Sequence, residues 1–124
     1  MPANMTVAQA DMTGAKLREV NFSGFKLASA KMSKADLTSA NLSAANLCDA
    51  DLSGADLTLA SLAQADLTRA NLAGAVLTRA NMCGAILNGA ILTSSGVVDA
   101  AMRDVTMAGF RLPGVSLAKA DLTA

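Results

Sequence analysis

The sequence predicts an all-β solenoid, a chain wound into stacked coils, because two apolar series both repeat every five residues. One series runs from Met12 to Leu122 and holds 23 residues, of which sixteen are Leu, five Met, one Phe and one Val. The other begins two residues earlier, at Ala10, and holds seventeen Ala, three Val, two Phe and one Ser. Neither series contains an insertion or a deletion, which predicts one domain over residues 1–124.

An α-helix cannot accommodate this period. Residues five apart on a helix are rotated by about 140°, so the Leu series would spiral around all sides. A flat strand also fails, since an odd period sends successive Leu residues to opposite faces. The pattern is satisfied if the chain turns a corner once per repeat, with each Leu and the Ala two residues before it pointing inward. The period therefore overrules the high helix propensity of Ala and Leu.

The polar positions of each repeat fit such a corner. The residue before the central Leu is Asp or Asn in eleven of 23 units, and these short side chains hydrogen-bond readily to nearby backbone and tolerate turns. Ser or Thr commonly follows the Leu, and Gly often comes next. We expect the hydroxyl groups and glycines at the corners, for structural reasons.

The unit A-(D/N)-L-x-x, seen as ADLTS, ANLSA, ANLCD, ADLSG and ADLTR, resembles the pentapeptide-repeat family. The resemblance implies a right-handed quadrilateral parallel β-helix, with four pentapeptides per coil and about six coils. Residues twenty apart would then stack on one another, with the Leu at the inward central position. The expected structural core contains the central leucines Leu37, Leu42, Leu47, Leu52, Leu57, Leu62, Leu67, Leu72 and Leu77.

Composition argues against catalysis. The chain has no His, Tyr or Trp, which removes the commonest general base and most activated nucleophiles. The Asp and Gly residues keep the spacing of the repeat, as turn formers would. Cys48 and Cys83 fall on different sides of a four-sided coil, and two thiols without His make neither a zinc site nor a Cys–His nucleophile. We expect a non-enzymatic protein without cofactor or metal.

The apolar composition does not predict a membrane protein. Mean hydropathy is +0.39, and the stretch from Ala80 to Val98 is uncharged and long enough to span a bilayer. That stretch nevertheless contains Asn, Gly and hydroxyl residues, and the five-residue register runs through it, so we expect no membrane span. The N-terminus shows no basic segment followed by an apolar run. We therefore expect a cytoplasmic protein.

Ten basic and ten acidic residues cancel, but they are segregated along the chain. Five basic residues precede residue 35, namely Lys16, Arg18, Lys26, Lys31 and Lys34, whereas residues 35–68 carry five Asp and no Lys or Arg. Stacking by twenty would align Lys16 with Asp36 and Asp56, and Arg79 with Asp99 and Lys119, which allows weak surface ion ladders. We do not expect nucleic-acid binding, because the basic cluster has no aromatic side chain for base stacking.

Outward apolar residues and the chain ends are the candidate contact sites. Leu59, Val76, Ile86 and Ile91 occupy outward positions, although β-branched residues also simply suit an extended backbone. A solenoid needs covered ends, and the chain stops at ADLTA in mid-pattern, so either a second copy covers the last coil or the chain was cut from a larger protein. Some members of the family dimerise through their C-terminal ends, and the resemblance implies a homodimer here. The candidate residues for this contact are Phe110, Leu112, Val115, Leu117 and Leu122.

These observations predict a non-catalytic rigid scaffold or protein-interaction module whose partner the sequence does not identify. The resemblance also implies two alternatives: a DNA-mimicking modulator of bacterial type II topoisomerase (gyrase), or the repeat portion of a secreted bacterial effector. Duplex DNA carries one negative charge per roughly 1.7 Å of its axis. A rod with equal numbers of acidic and basic residues is a poor mimic of it.

Overall fold

The computed structural model of the chain describes residues 6–93, 95–97 and 99–106. In this part the backbone winds into stacked coils joined by parallel bridges, and every bridge links residues twenty apart. One such column runs from Thr6 to Thr106 in five steps of twenty residues and therefore spans five coils. The described residues contain no helix, and each side of a coil pairs in parallel with the same side of the neighbouring coils. Four pentapeptides per coil, as predicted, are confirmed.

Each described corner of the coil is a β-turn whose first residue is the central Leu or its equivalent. In the turn at residues 12–15, the N–H of Ala15 donates to the carbonyl of Met12 at 3.0 Å. The third residue of each described turn has a φ between 55° and 72°, the left-handed region that type II turns require at this position. Six of these residues are Gly and thirteen are not, and none is Val, Ile or Thr, the residues that tolerate this region least. The five-residue spacing of the glycines thus follows from the corner.

In a repeat that has a described coil on both sides, four of the five N–H groups bond to backbone carbonyls. Within one repeat, the N–H of Leu57 donates to Val76 at 2.7 Å and that of Leu59 to Thr78 at 3.0 Å, both one coil further along the chain. The N–H of Asp56 donates to Ala35 of the previous coil at 2.9 Å, and the N–H of the next Ala closes the turn. The fifth N–H belongs to the residue after the central apolar residue, and in the ten described repeats that begin with Asp or Asn it bonds to no backbone carbonyl.

The Asp or Asn before each Leu accepts this fifth N–H. The N–H of Thr58, for example, donates to Oδ1 of Asp56 at 3.0 Å, and the Thr58 hydroxyl donates to the same oxygen at 2.6 Å. The same backbone contact is made by all ten Asp and Asn residues at this position in the described part of the chain. The repeated carboxylates and amides are thus structural acceptors, since an unpaired N–H carries a cost.

The core is a dry aliphatic column along the axis of the coils. Every described inward residue from Phe22 to Met102 is buried, and all nine leucines expected in the core are fully buried. Ser95 occupies an Ala position, where its hydroxyl donates to the carbonyl of Leu92 at 2.7 Å. Gly96 still bridges to Val76. The stretch from Ser95 to Val97, in which Ser replaces the inward Ala and Val replaces the central Leu, therefore keeps the coil register.

The first described coil is less completely buried than those that follow. Its inward residues Val7, Met12, Leu17 and Val20 are only partly buried. Burial becomes complete where the rings of Phe22 and Phe25 pack together with centroids 5.1 Å apart. An aromatic pair thus fills the end of the narrow column where Ala would leave space.

Candidate interaction surfaces

The outward side chains of the rod lie in columns whose members are twenty residues apart. We define the Leu59 side by two columns, one at the bridge position and one at the adjacent corner. The bridge column contains Lys16, Asp36, Asp56 and Val76, and the corner column contains Glu19, Ser39, Leu59 and Arg79. This side carries both of the exposed large apolar residues that the structure describes.

Leu59 and Val76 expose 48% and 40% of their surface, whereas Ile86 and Ile91 are half-buried. The two isoleucines are less exposed than expected because each packs in its column, Ile86 between Asp66 and Thr106 and Ile91 on Asn71. They also lie on two other sides of the rod, so the four predicted contacts do not form one patch. The predicted C-terminal contact residues (Phe110, Leu112, Val115, Leu117 and Leu122) lie outside the described residues.

The ion ladder predicted at Lys16 is wrong in its cation, because Arg18 and not Lys16 pairs with Asp36. Lys16 stacks on Asp36 as expected, but the ion pair forms between Arg18 and Oδ2 of Asp36 at 3.7 Å. Thr38 donates its N–H and its hydroxyl to Oδ1 of Asp36, which leaves Oδ2 as the oxygen available to a cation. These bonds from Thr38 also hold the pKa of Asp36 below its ordinary value.

A second ion pair joins neighbouring coils on another side. The guanidinium of Arg69 binds both carboxylate oxygens of Asp49, with Nε–Oδ1 and Nη2–Oδ2 distances of 2.8 and 2.9 Å. This contact lowers the pKa of Asp49. Both side chains are exposed, so solvent screens the pair and its contribution to stability is small. We assign it to stability rather than to chemistry.

The Leu59 side contains a four-residue arrangement that sequence reasoning missed. Asp56 and Val76 bridge directly, and the bond from Leu59 N–H to the Thr78 carbonyl sets Leu59 against the coil position of Arg79. Asp56, Leu59, Val76 and Arg79, here called the quartet, therefore occupy the corners of a rectangle. The apolar residues share one diagonal and the opposite charges share the other. Pairing residues by both steps, three along the chain and twenty between coils, is the sequence signal that finds it.

The cysteines offer little chemistry. Cys48 and Cys83 are free and half-buried. Burial, together with a hydrogen bond to Asp66, raises the pKa of the Cys48 thiol, which disfavours the nucleophilic thiolate. Within the described residues, His, Cys, Asp and Glu form no group arranged to hold a metal ion. The same residues include no helix with the length and apolarity needed to cross a bilayer.

Comparison with known proteins identifies the family. The model for pentapeptide repeats matches eight copies, within residues 8–43, 26–64, 35–72 and 60–95. A search of the curated protein sequences gave no match.

Three solved structures are similar to the chain. A trypsin-treated variant of QnrB1, a plasmid-mediated fluoroquinolone resistance protein, is 20% identical with a TM-score of 0.66 over 95% of this chain and 63% of its own. Rfr23 from the cyanobacterium Cyanothece 51142 is 23% identical with a TM-score of 0.53 over 97% and 89%. HetL from the cyanobacterium Nostoc sp. strain PCC 7120, involved in heterocyst differentiation regulation, is 34% identical with a TM-score of 0.39 over 95% and 62%.

The chain thus spans somewhat less than two thirds of the HetL and QnrB1 chains that it matches. The repeat matches cover most of the sequence without a break, and the QnrB1 and Rfr23 structures share the coil geometry described above. The chain belongs to the pentapeptide-repeat family, and its fold is the right-handed quadrilateral β-helix that its five-residue register and family resemblance predict.

Proposed function

We propose that the chain is a rigid, non-catalytic scaffold that binds a partner protein through its Leu59 side. The observation that carries this proposal is the conformation of Leu59 itself. Its φ is 61°, a left-handed conformation that costs a non-glycine residue on the order of 1 kcal/mol, and its apolar side chain is 48% exposed. The other described non-glycine corners hold polar, charged or Ala residues. Residues that break local rules in this way concentrate at functional sites.

The rest of the surface supports binding over catalysis. The carboxylates at the bridge position accept hydrogen bonds from their own turns, and Asp49 and Asp36 also pair with arginines. The carboxylates that accept these bonds are therefore engaged by the coil through at least one oxygen. The backbone bonds between coils hold the outward side chains in fixed rows about 4.8 Å apart. A surface ordered in this way loses little conformational entropy when a partner binds.

The test is a double variant, Leu59→Gln with Val76→Asn, that removes the apolar pair without disturbing the coil. Gln already occupies the same left-handed corner at Gln9 and Gln64. Asn at the bridge position accepts the N–H two residues on, as Asn71 does for Ala73 at 3.0 Å. The double variant should therefore fold at least as well as the wild type.

Affinity capture from the native cell, with wild type and variant immobilised in parallel, provides the measurement. We expect a specific partner that the double variant loses. Ala101→Asn makes the same kind of change at a bridge position on a different side of the rod, and it should retain the partner. Equal capture by wild type and double variant would refute the role of the Leu59 side.

A supercoiling assay with bacterial gyrase separates this proposal from the DNA-mimic alternative. Residues 26–45 carry three Lys and one Asp, whereas residues 46–65 carry three Asp and no basic residue. Charge therefore changes sign from coil to coil, unlike the uniform charge of a duplex. We expect gyrase activity to be unchanged at micromolar protein, and inhibition or protection of the enzyme at that concentration would favour the alternative.

A further inference from the structure

We infer that the quartet selects a partner segment in which apolar side chains are flanked by a Lys or Arg on one side and by a carboxylate on the other. This inference rests on the proposed function and names the chemistry of its partner. The apolar groups of the partner cover Leu59 and Val76, its cation meets Asp56 and its anion meets Arg79. The four positions of the quartet are fixed, because Leu57 and Leu59 both donate N–H bonds to the next coil, at 2.7 and 3.0 Å.

Asp56 has no cation partner in the described part of the chain. Its Oδ1 accepts the N–H and the hydroxyl of Thr58, and within the described residues no donor reaches Oδ2. The bridge to Asp36 stacks two carboxylates directly on one another, and like charges in opposed positions are destabilising. Arg18 pairs with Asp36, but no cation of the described chain pairs with Asp56. A Lys or Arg from a partner would relieve this repulsion while its apolar neighbour covers Val76.

Arg79 presents the complementary charge. Its side chain is exposed at a left-handed corner, and no carboxylate in the described part of the rod forms an ion pair with it. The predicted stacking partner, Asp99, lies one coil away in the same column but not within ion-pair distance. A guanidinium without a partner has the fork geometry that carboxylates bind with two hydrogen bonds. An Asp or Glu of the partner fits this position.

A second copy of the chain fits the quartet less well than a different protein does. A two-fold axis parallel to the rod, with the two Leu59 sides facing, would place Asp56 opposite Leu59 of the other copy. An axis across the rod would place Asp56 opposite Val76 of the other copy. In both arrangements charges face apolar groups, which leaves them desolvated and unpaired. An axis along the Leu59–Val76 diagonal would bring Asp56 toward Arg79 of the other copy, but it is oblique to the rod. The two rods would then cross and touch only near the quartet, which is less contact than a stable dimer needs. We therefore commit to a different protein, bound by an amphipathic segment.

Selection of phage-displayed random peptides on the immobilised full-length chain tests the inference. Peptides that also bind the double variant (Leu59→Gln with Val76→Asn) are removed. We expect the remaining peptides to combine aliphatic or aromatic residues with neighbouring Lys or Arg and with an acidic residue. Their binding should weaken as salt rises, because exposed charge pairs are screened.

Charge-neutral variants of the quartet show which of its residues bind the charged groups of the peptide. Asp56→Asn keeps the acceptor for the Thr58 N–H, and Arg79→Gln places at this corner a residue that the coil already tolerates at Gln64. Each should bind the selected peptides about two- to fivefold more weakly, the loss of one exposed ion pair. The Ala101→Asn variant should bind as the wild type does. Matched circular dichroism spectra and urea midpoints establish that each variant is folded.

The outcomes separate this inference from the proposed function. Selected peptides that bind both charge-neutral variants as tightly as wild type, or that lack basic residues, overturn the quartet's charge recognition and leave the apolar contact intact. A selection that yields no peptide discriminating against the double variant overturns both. A concentration-dependent dimer in sedimentation equilibrium that the double variant abolishes would show that the occupant is a second copy, and would also overturn the inference.

Discussion

Replacing Leu57 with Ala tests the packing of the column on which the fold depends. Leu57 is fully buried, with Leu37 and Leu77 stacked on either side of it along the axis. The coil spacing is set by backbone hydrogen bonds, among them Leu57 N–H to Val76 at 2.7 Å and Leu37 N–H to Asp56 at 2.8 Å. The neighbours therefore cannot collapse into the space that the missing atoms leave. We expect the free energy of unfolding to fall by about 4 kcal/mol, near the upper end of the range for buried Leu→Ala changes.

A loss of this size is large relative to the total free energy of unfolding. A chain of 124 residues at roughly 0.05–0.15 kcal/mol per residue has a stability of about 6–19 kcal/mol. The matched control is Leu17→Ala, which removes the same atoms at the same repeat position in the first described coil. Leu17 is only partly buried, so less apolar surface returns to water and we expect a cost of about 1–2 kcal/mol.

Urea unfolding followed by far-ultraviolet circular dichroism measures both variants. If the rod unfolds as one unit, Leu57→Ala lowers the midpoint without changing the slope. A shallower transition would indicate that the coils on the two sides of the lesion separate, as nearest-neighbour coupling allows in repeat proteins. If Leu57→Ala costs no more than Leu17→Ala, the column is not the main source of stability and the reasoning fails.

Three further predictions concern the corners and the bridge positions. Val76→Asn should raise the free energy of unfolding by up to about 1 kcal/mol, because it supplies the acceptor that the Thr78 N–H lacks; an unchanged urea midpoint would contradict this. Gly84→Ala should cost about 1 kcal/mol by the same measurement, because φ is +72° and the added Cβ would lie 3.2 Å from a neighbouring side chain. Bonds from Thr38 lower the pKa of Asp36 in the folded state, so its contribution is present above the unfolded pKa and is lost as pH falls through the folded pKa. Asp36→Asn should therefore make stability less sensitive to acid in pH-dependent melting.

The fold was predictable because the same pattern of inward and outward residues recurs in every repeat. Inward Leu and Ala at fixed spacing exclude helix and flat strand, and the left-handed corners, six of them Gly and none of them Val, Ile or Thr in the described residues, show where the chain turns. The sequence also predicted, in outline, that Asp and Asn hydrogen-bond to nearby backbone at the turns. The exact form of this bonding could not be predicted, because only the folded coil shows that the N–H two residues after each described Asp or Asn bonds to no backbone carbonyl. The number of sides came from the family rather than from the period.

The candidate surface was less predictable, because it depends on side-chain direction as well as on register. Stacking by twenty correctly placed Lys16 on Asp36, yet the cation that reaches the carboxylate is Arg18. The same register treated Val76, Ile86 and Ile91 alike, although only Val76 is exposed in its column. Ile86 lies between the side chains of Asp66 and Thr106, whereas one neighbour of Val76 in its column is Gly96, which has no side chain to cover it.

In a repeat protein of this kind, departures from the consensus are the informative residues. A position that follows the consensus is explained by the coil, as Asp56 is by the Thr58 N–H that it accepts. Val76 sits where Asp or Asn would stabilise the turn, and Leu59 sits where Gly would relieve the backbone and a polar residue would suit the solvent. The two departures fall on adjacent coils of one side and both remain exposed. Each gives up local stability, and the fold recovers nothing from either, which is the physical reason to place the partner there.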